Sequence, residues 1–131
     1  MMALTEHTMR LRVRYTECDP MGVVHHSRYF VYFELARTEL YKLNGGNHRE
    51  MEKEGVFFVV ASVDCKYIKP LHYDDLIDVT VRVTRTTRAK IQHEYQIFRD
   101  GELMAVGHTT LAMISKEGKI ILIPEKFHIG F

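Results

Sequence analysis

Near the start of the chain, Met9, Leu11, Val13 and Tyr15 alternate with Arg10, Arg12 and Arg14. A period of two is that of a strand with one buried and one wet face. The alternation stops at Asp19-Pro20-Met21-Gly22, whose composition is that of a turn. From about Ser27 to Leu43 the period lengthens. Tyr29, Phe33, Ala36, Leu40 and Leu43 recur at three and four, which predicts a helix. Phe30, Val31 and Tyr32 widen its apolar surface, so the first half is expected to be deeply buried. Ser27 or His26 is placed to cap its start, and Asn44-Gly45-Gly46 tolerates the left-handed conformation that ends helices. Asn47 with Glu50 resembles a capping box and predicts a short second helix, closed by Gly55.

Beyond Gly55 the pattern is that of strands. Val56 to Tyr67 begins as a continuous apolar run and ends with Ala61, Val63, Cys65 and Tyr67 alternating. Ile77, Val79, Val81 and Val83 form a second set, and Ile91, His93, Tyr95 and Ile97 a third. Asp100-Gly101 is a strong hairpin signal leading into Leu103 to Ile114. Glu117-Gly118 marks a last turn before Ile120 to Ile123. Strands joined by short turns are antiparallel. The pattern therefore predicts an α+β fold with one long helix packed on a single face of an antiparallel sheet.

At 131 residues, with no repeat and no Pro/Gly/Ser linker, the chain reads as one domain over residues 1–131. A net charge of +1 gives no global pull toward nucleic acid or lipid, so an anionic ligand needs a local basic cluster. Cys18 and Cys65 make neither a disulfide framework nor a metal knuckle. The opening Met-Met-Ala-Leu-Thr-Glu-His has no apolar core, and the run Val56 to Ala61 is too short to span a bilayer. A reduced, cytoplasmic protein without cofactor or metal is the expectation.

The stretch from Tyr15 to Tyr29 carries the candidate chemistry. Asp19 sits on a turn, Gly22 follows it, and the aromatic helix begins just beyond. The first amides of a helix have no internal partner and carry the positive end of its dipole, so they can polarise a carbonyl oxygen. A carboxylate folded back toward that end would stand beside the same carbon, an arrangement suited to acyl transfer. Asp19 before Pro is equally an ordinary turn former, and Glu17 reads as a supporting or surface acid. His25-His26 are adjacent, which ill suits one metal ion, and no His-Glu-x-x-His or Cys-x-x-Cys accompanies them. Cys18 reads as an inert small residue, and the absence of Gly-x-Ser-x-Gly removes a serine hydrolase of the α/β type. His93 and His108 are read as packed or exposed sheet histidines.

Tyr15, Glu17, Asp19, Gly22, His26 and Tyr29, together with the helix text Tyr29-Phe-Val-Tyr-Phe-Glu-Leu-Ala-Arg-Thr-Glu39, resemble the hotdog-fold thioesterases of the 4-hydroxybenzoyl-CoA thioesterase group. The resemblance covers nearly the whole chain. It implies hydrolysis of an acyl-CoA thioester, with Asp19 as nucleophile or general base and the amide of His26 on the thioester carbonyl. Gly22, Val23, His25 and Tyr29 would line the substrate site, and His25 and Arg28 depart from the residues common there. Arg88 and Lys90, in the turn Arg85 to Lys90, would meet the phosphates of CoA, with Lys116 and Lys119 as secondary candidates. Hotdog hydratases pair their Asp with a His five residues later; that position is Val24 here. A non-catalytic acyl-CoA-binding domain is the other alternative, against which the retained Asp19 and Gly22 speak. The resemblance further implies a homo-oligomer, a dimer at least and by kinship a homotetramer, with sites between subunits.

Overall fold

The computed structural model describes residues 4–128; Met1, Met2 and Ala3, which begin the segment read above for a leader, lie outside the described residues. Six strands form the sheet: β1 (Glu6–Arg12), β2 (Val56–Tyr67), β3 (Leu76–Thr86), β4 (Ile91–Arg99), β5 (Glu102–Ser115) and β6 (Ile120–Ile121). Two helices, α1 (Arg28–Leu43) and α2 (His48–Lys53), come between β1 and β2, and 3-10 turns occupy Tyr15–Glu17 and Glu125–Phe127. The strand order is β1-β3-β4-β5-β2 with β6 beside β5, and every pairing is antiparallel. This is the α+β arrangement expected, a long helix on one antiparallel sheet.

The first strand ends before its alternation does. Val13 N–H closes the ladder on Asp75 O, and the Glu17 carboxylate then takes the Arg14 amide, which turns the chain off the sheet. Tyr15 is consequently exposed rather than in the strand. Downstream, Asp100 and Gly101 both take positive φ (50° and 79°), as a two-residue hairpin turn requires, and they connect the paired Arg99 and Glu102. The last strand is only two residues long. Ile123 N–H bonds Arg88 O instead of extending it, and Ile120 and Leu122 face outward.

The helix buries Tyr29, Tyr32, Phe33, Ala36 and Leu40, but Leu43 is exposed at its end, and Val31 and Leu35 form a second, outward apolar strip. Ser27 precedes α1 already in helical conformation and caps nothing with its side chain; Asn47 caps α2 by accepting from the Arg49 and Glu50 amides. Phe33 stacks on Tyr95 at 4.5 Å between ring centres and covers Gly107, where a Cβ would lie 2.3 Å from the Phe33 ring. Only hydrogen at that position lets the helix approach this closely. Two apolar clusters result. The larger joins α1 to β3, β4 and β5; the smaller gathers Met51, Ile91, Leu111, Met113, Ile123 and Phe127. On one side β2 pairs with β5, and its other edge meets no strand among the described residues. Val60, Val63 and Tyr67 are exposed along it.

Candidate active site

The loop between β1 and α1 folds back on itself. Asp19 N–H donates to Val23 O at 2.8 Å, Gly22 N–H to Asp19 O at 2.9 Å, and His25 N–H to Glu17 O at 2.9 Å. Gly22 takes φ +82°, which a side chain would resist. Val23 bridges to His72, and Val24 N–H donates to Leu71 O, so the loop is fastened to the segment leading into β3.

Two carboxylates two residues apart meet opposite environments. Glu17 is buried and accepts from the Arg14 amide at 2.8 Å, the Arg14 guanidinium at 3.2 Å and the Tyr32 hydroxyl at 2.9 Å. Its lone pairs are spent on holding the loop against α1. Asp19 is half-buried, makes no ion pair among the described residues, and accepts from Met21 N–H at 2.8 Å. That bond restrains the carboxylate and leaves its second oxygen available. Burial and the bond to Glu17 push the Tyr32 phenol well above its ordinary range, so it stays a donor.

At the start of α1, Arg28 N–H donates to His25 O and Ser27 N–H to His25 Nδ1, whereas the His26 amide donates to no group among the described residues. The rings of His25 and His26 lie 4.1 Å apart, tilted by 33°, and are exposed. Tyr29 is buried; its hydroxyl accepts from Leu71 N–H at 3.4 Å, and burial raises its pKa. A shallow depression opens here, walled by Val24, His26, Tyr29, Tyr67 and Lys69. Asp19 lies outside that wall, and no hydrogen bond links its carboxylate to the His26 amide. Asp19, Gly22, Val23, His25, His26 and Tyr29 thus share one loop and helix start.

Arg88 and Lys90 do not join them. Their turn lies beyond Thr86, at the far end of β3, whose near end meets the Asp19 loop. A strand of that length spans roughly 30 Å. Lys116 and Lys119 lie on either side of Gly118 at the same far end, since Ile91 pairs with Leu111 and β5 runs on from there to Ser115.

Residues 13–130 match the family described as the thioesterase-like superfamily. The chain belongs to that superfamily. It is 32% identical to the acyl-CoA thioesterase YbgC of Haemophilus influenzae over 92% of this chain and 90% of that protein. The solved structure of a DHNA-CoA thioesterase from Staphylococcus aureus is similar at 31% identity and a TM-score of 0.86, covering 89% of this chain and 80% of that one. A 4-hydroxybenzoyl-CoA thioesterase aligns with a TM-score of 0.85 at 16% identity, covering 94% and 96% of the two chains, a likeness of hotdog fold alone.

In this thioesterase-superfamily chain, sequence reading passed over Tyr67. It sits at the end of β2, stacks edge-on against Tyr29 at 4.7 Å and donates its hydroxyl to His26 O at 2.9 Å. Its place at the end of an alternating run gave no hint of this, because the contact depends on where α1 crosses the sheet. The two strand histidines also part company. His93 is buried, whereas His108 is exposed between Asp64 and Glu94, whose carboxylates raise its pKa. Among the described residues, no helix is long and apolar enough to cross a membrane.

Proposed function

We propose that this protein hydrolyses acyl-CoA thioesters, with Asp19 as the reacting carboxylate and the His26 amide as the donor to the thioester oxygen. One observation carries the reading. Of the two acids in the loop, Glu17 is fully engaged and Asp19 is held by one local amide with an oxygen to spare, in the same loop as the His26 N–H, which donates to no group among the described residues. The relatives named acyl-CoA thioesterases support the substrate class.

A thiolate departs with little help, since thiol pKa values lie near ~8.5. Asp19 can attack the acyl carbon, releasing the CoA thiolate and leaving a mixed anhydride that water splits to regenerate the carboxylate. Alternatively it takes a proton from water, the hydroxide adds to the carbon, and the proton follows the departing sulfur. Both routes consume one water and yield free acid and CoA. In both, the His26 amide meets the negative charge growing on oxygen. Gly22 and Val23 shape the turn, and His25 and Tyr29 border the approach. Val24, at the position where a hydratase carries its His, is apolar and buried, so it offers no proton for that reaction.

A second copy of the chain completes the site. The free edge of β2 and the outward strip of Val31 and Leu35 are surfaces that a symmetric partner would cover. Antiparallel pairing of β2 with the partner's β2 brings the Tyr67 end of one copy beside the Val56 end of the other. The far-end turns with Arg88 and Lys90 then approach the partner's Asp19 loop, where they serve the phosphates of CoA.

A panel of CoA esters read by thiol release tests the proposal. Asp19→Asn and Asp19→Ala should lower kcat about 10²–10⁴-fold on every ester the wild type accepts. Undiminished turnover in either variant refutes the role of Asp19.

A further inference from the structure

Strand β2 changes phase along its length. Val60 pairs with Leu111 and Ser62 with Thr110, so Ala61 is an extra residue, a bulge. Even-numbered Val56 and Phe58 pack into the smaller apolar cluster and odd-numbered Cys65 into the larger, all on the helical side of the sheet. The bulge thereby aims Tyr67, two residues beyond Cys65, at the start of α1; without it the side chain would leave on the opposite face. The Tyr67 ring meets Tyr29 edge-on, with the planes at 86°, and Tyr29 is itself buried. Burial, with Cys65 beside it, pushes the Tyr67 phenol up to about 12, so the hydroxyl remains a donor at neutral pH.

That hydroxyl holds the surroundings of one amide. His25 N–H donates to Glu17 O at 2.9 Å, Arg28 N–H to His25 O at 2.9 Å, and Tyr67 Oη to His26 O at 2.9 Å. The three bonds fix, in turn, the peptide planes before, at and after the His26 N–H. In a trans peptide the N–H lies opposite the C=O. With His25 O turned toward Arg28 in the first turn of α1, the His26 N–H points away from the helix, and it donates to no group among the described residues. Two of the bonds are backbone bonds within the loop and helix start. Tyr67 supplies the third from another element, through a single oxygen atom.

We propose that Tyr67 is a positioning residue for thioester hydrolysis: by holding His26 O, its hydroxyl keeps the His26 N–H aimed at the thioester oxygen. This deepens the hydrolase reading above and rests on it. Ground-state binding draws on the whole CoA ester and tolerates a loosely held amide. The transition state does not, because charge gathers on one oxygen and the donor must already stand at hydrogen-bond distance from it. Displacing a reacting group by about 1 Å costs up to about 10²-fold in rate, and deleting an oxyanion donor about 10²–10³-fold. Removing the Tyr67 hydroxyl loosens the donor without deleting it, so its cost should not exceed the first figure.

Tyr67→Phe removes one oxygen and leaves the ring against Tyr29. On the CoA ester panel, read by thiol release, it should lower kcat about 10–100-fold with KM little changed. A variant that merely folds poorly would also turn over less, so a second measurement reads only bound ester. Asp19→Asn and the double variant Asp19→Asn/Tyr67→Phe are each saturated with butanoyl-CoA or benzoyl-CoA, whichever the wild type hydrolyses faster, carrying carbon-13 at the thioester carbonyl. Isotope-edited infrared difference spectra then give the carbonyl stretch. With the Tyr67 hydroxyl present the band should lie below its position in solution, because a donor polarises the carbonyl; without the hydroxyl it should move back toward the solution value. A wild-type kcat in Tyr67→Phe, or a band at the same position in both bound proteins, overturns the inference. Full turnover in Asp19→Asn would remove the hydrolase mechanism and this inference with it. An inactive Asp19→Asn beside a fully active Tyr67→Phe would remove this inference alone.

Discussion

His93 shows what environment does to one residue. Its unfolded pKa is near ~6.5 and its native value about 3, because burial and then Arg37 disfavour the imidazolium. Between those values the unfolded chain binds a proton that the native chain does not. Stability is therefore unaffected above about pH 6.5 and is lost as pH falls toward 3, by at most about 1.4 kcal/mol per pH unit from this group. Denaturant unfolding of wild type and His93→Leu at pH 7, 5.5 and 4.5 checks this. The wild type should lose ground relative to the variant as pH falls, and a pH-independent difference would contradict it. The alternation around His93 puts it in phase with Ile91, Tyr95 and Ile97, and it is buried with them, whereas His108 lies on the exposed face of β5. Asp19 and Glu17 are two carboxylates in one short stretch. Spacing pointed to Asp19, but only the folded loop shows Glu17 with every partner it can use.

Periodicity carried most of the secondary structure, because a two-residue repeat and a helical repeat are local properties of the chain. The helix, the long strands and the Asp100-Gly101 hairpin lie where it places them. The departures have tertiary causes. Tyr15 leaves the sheet because Glu17 captures the Arg14 amide, and the last strand stops because Ile123 bonds to the β3–β4 turn. Gly107 is the element-scale feature that sequence reading missed, a glycine inside a strand without any turn signal. A methyl group there would meet the Phe33 ring and the Asp64 carbonyl oxygen, 2.8 Å away, so one of them must shift. Gly107→Ala should therefore cost about 1–3 kcal/mol in denaturant unfolding. A change within about 0.5 kcal/mol, typical of an unremarkable surface substitution, would show that the helix seat tolerates a side chain.

For the whole molecule, the separation of Asp19 from Arg88 and Lys90 has a direct test. If phosphate contacts come from the other copy, Asp19→Asn mixed with the Arg88→Ala/Lys90→Ala double variant should regain low-KM turnover after subunit exchange. Random mixing makes half the dimers hybrid with one intact site each, so recovery should approach about a quarter of the wild-type sites. No recovery, with hybrids verified by mass, would place phosphate binding within one chain or elsewhere. Strand order was not readable from the sequence, which left that separation invisible: β1 pairs with β3 across both helices and β2. The central helix, finally, is pinned at three points. Tyr67 holds His26 at its start, Gly107 seats Phe33 in its middle, and Asn44 at its end exchanges two 2.8 Å bonds with the Leu4 backbone. Sliding or rolling this helix would break these contacts together. Trading side chains around this axle therefore costs fewer contacts than shifting the axle itself.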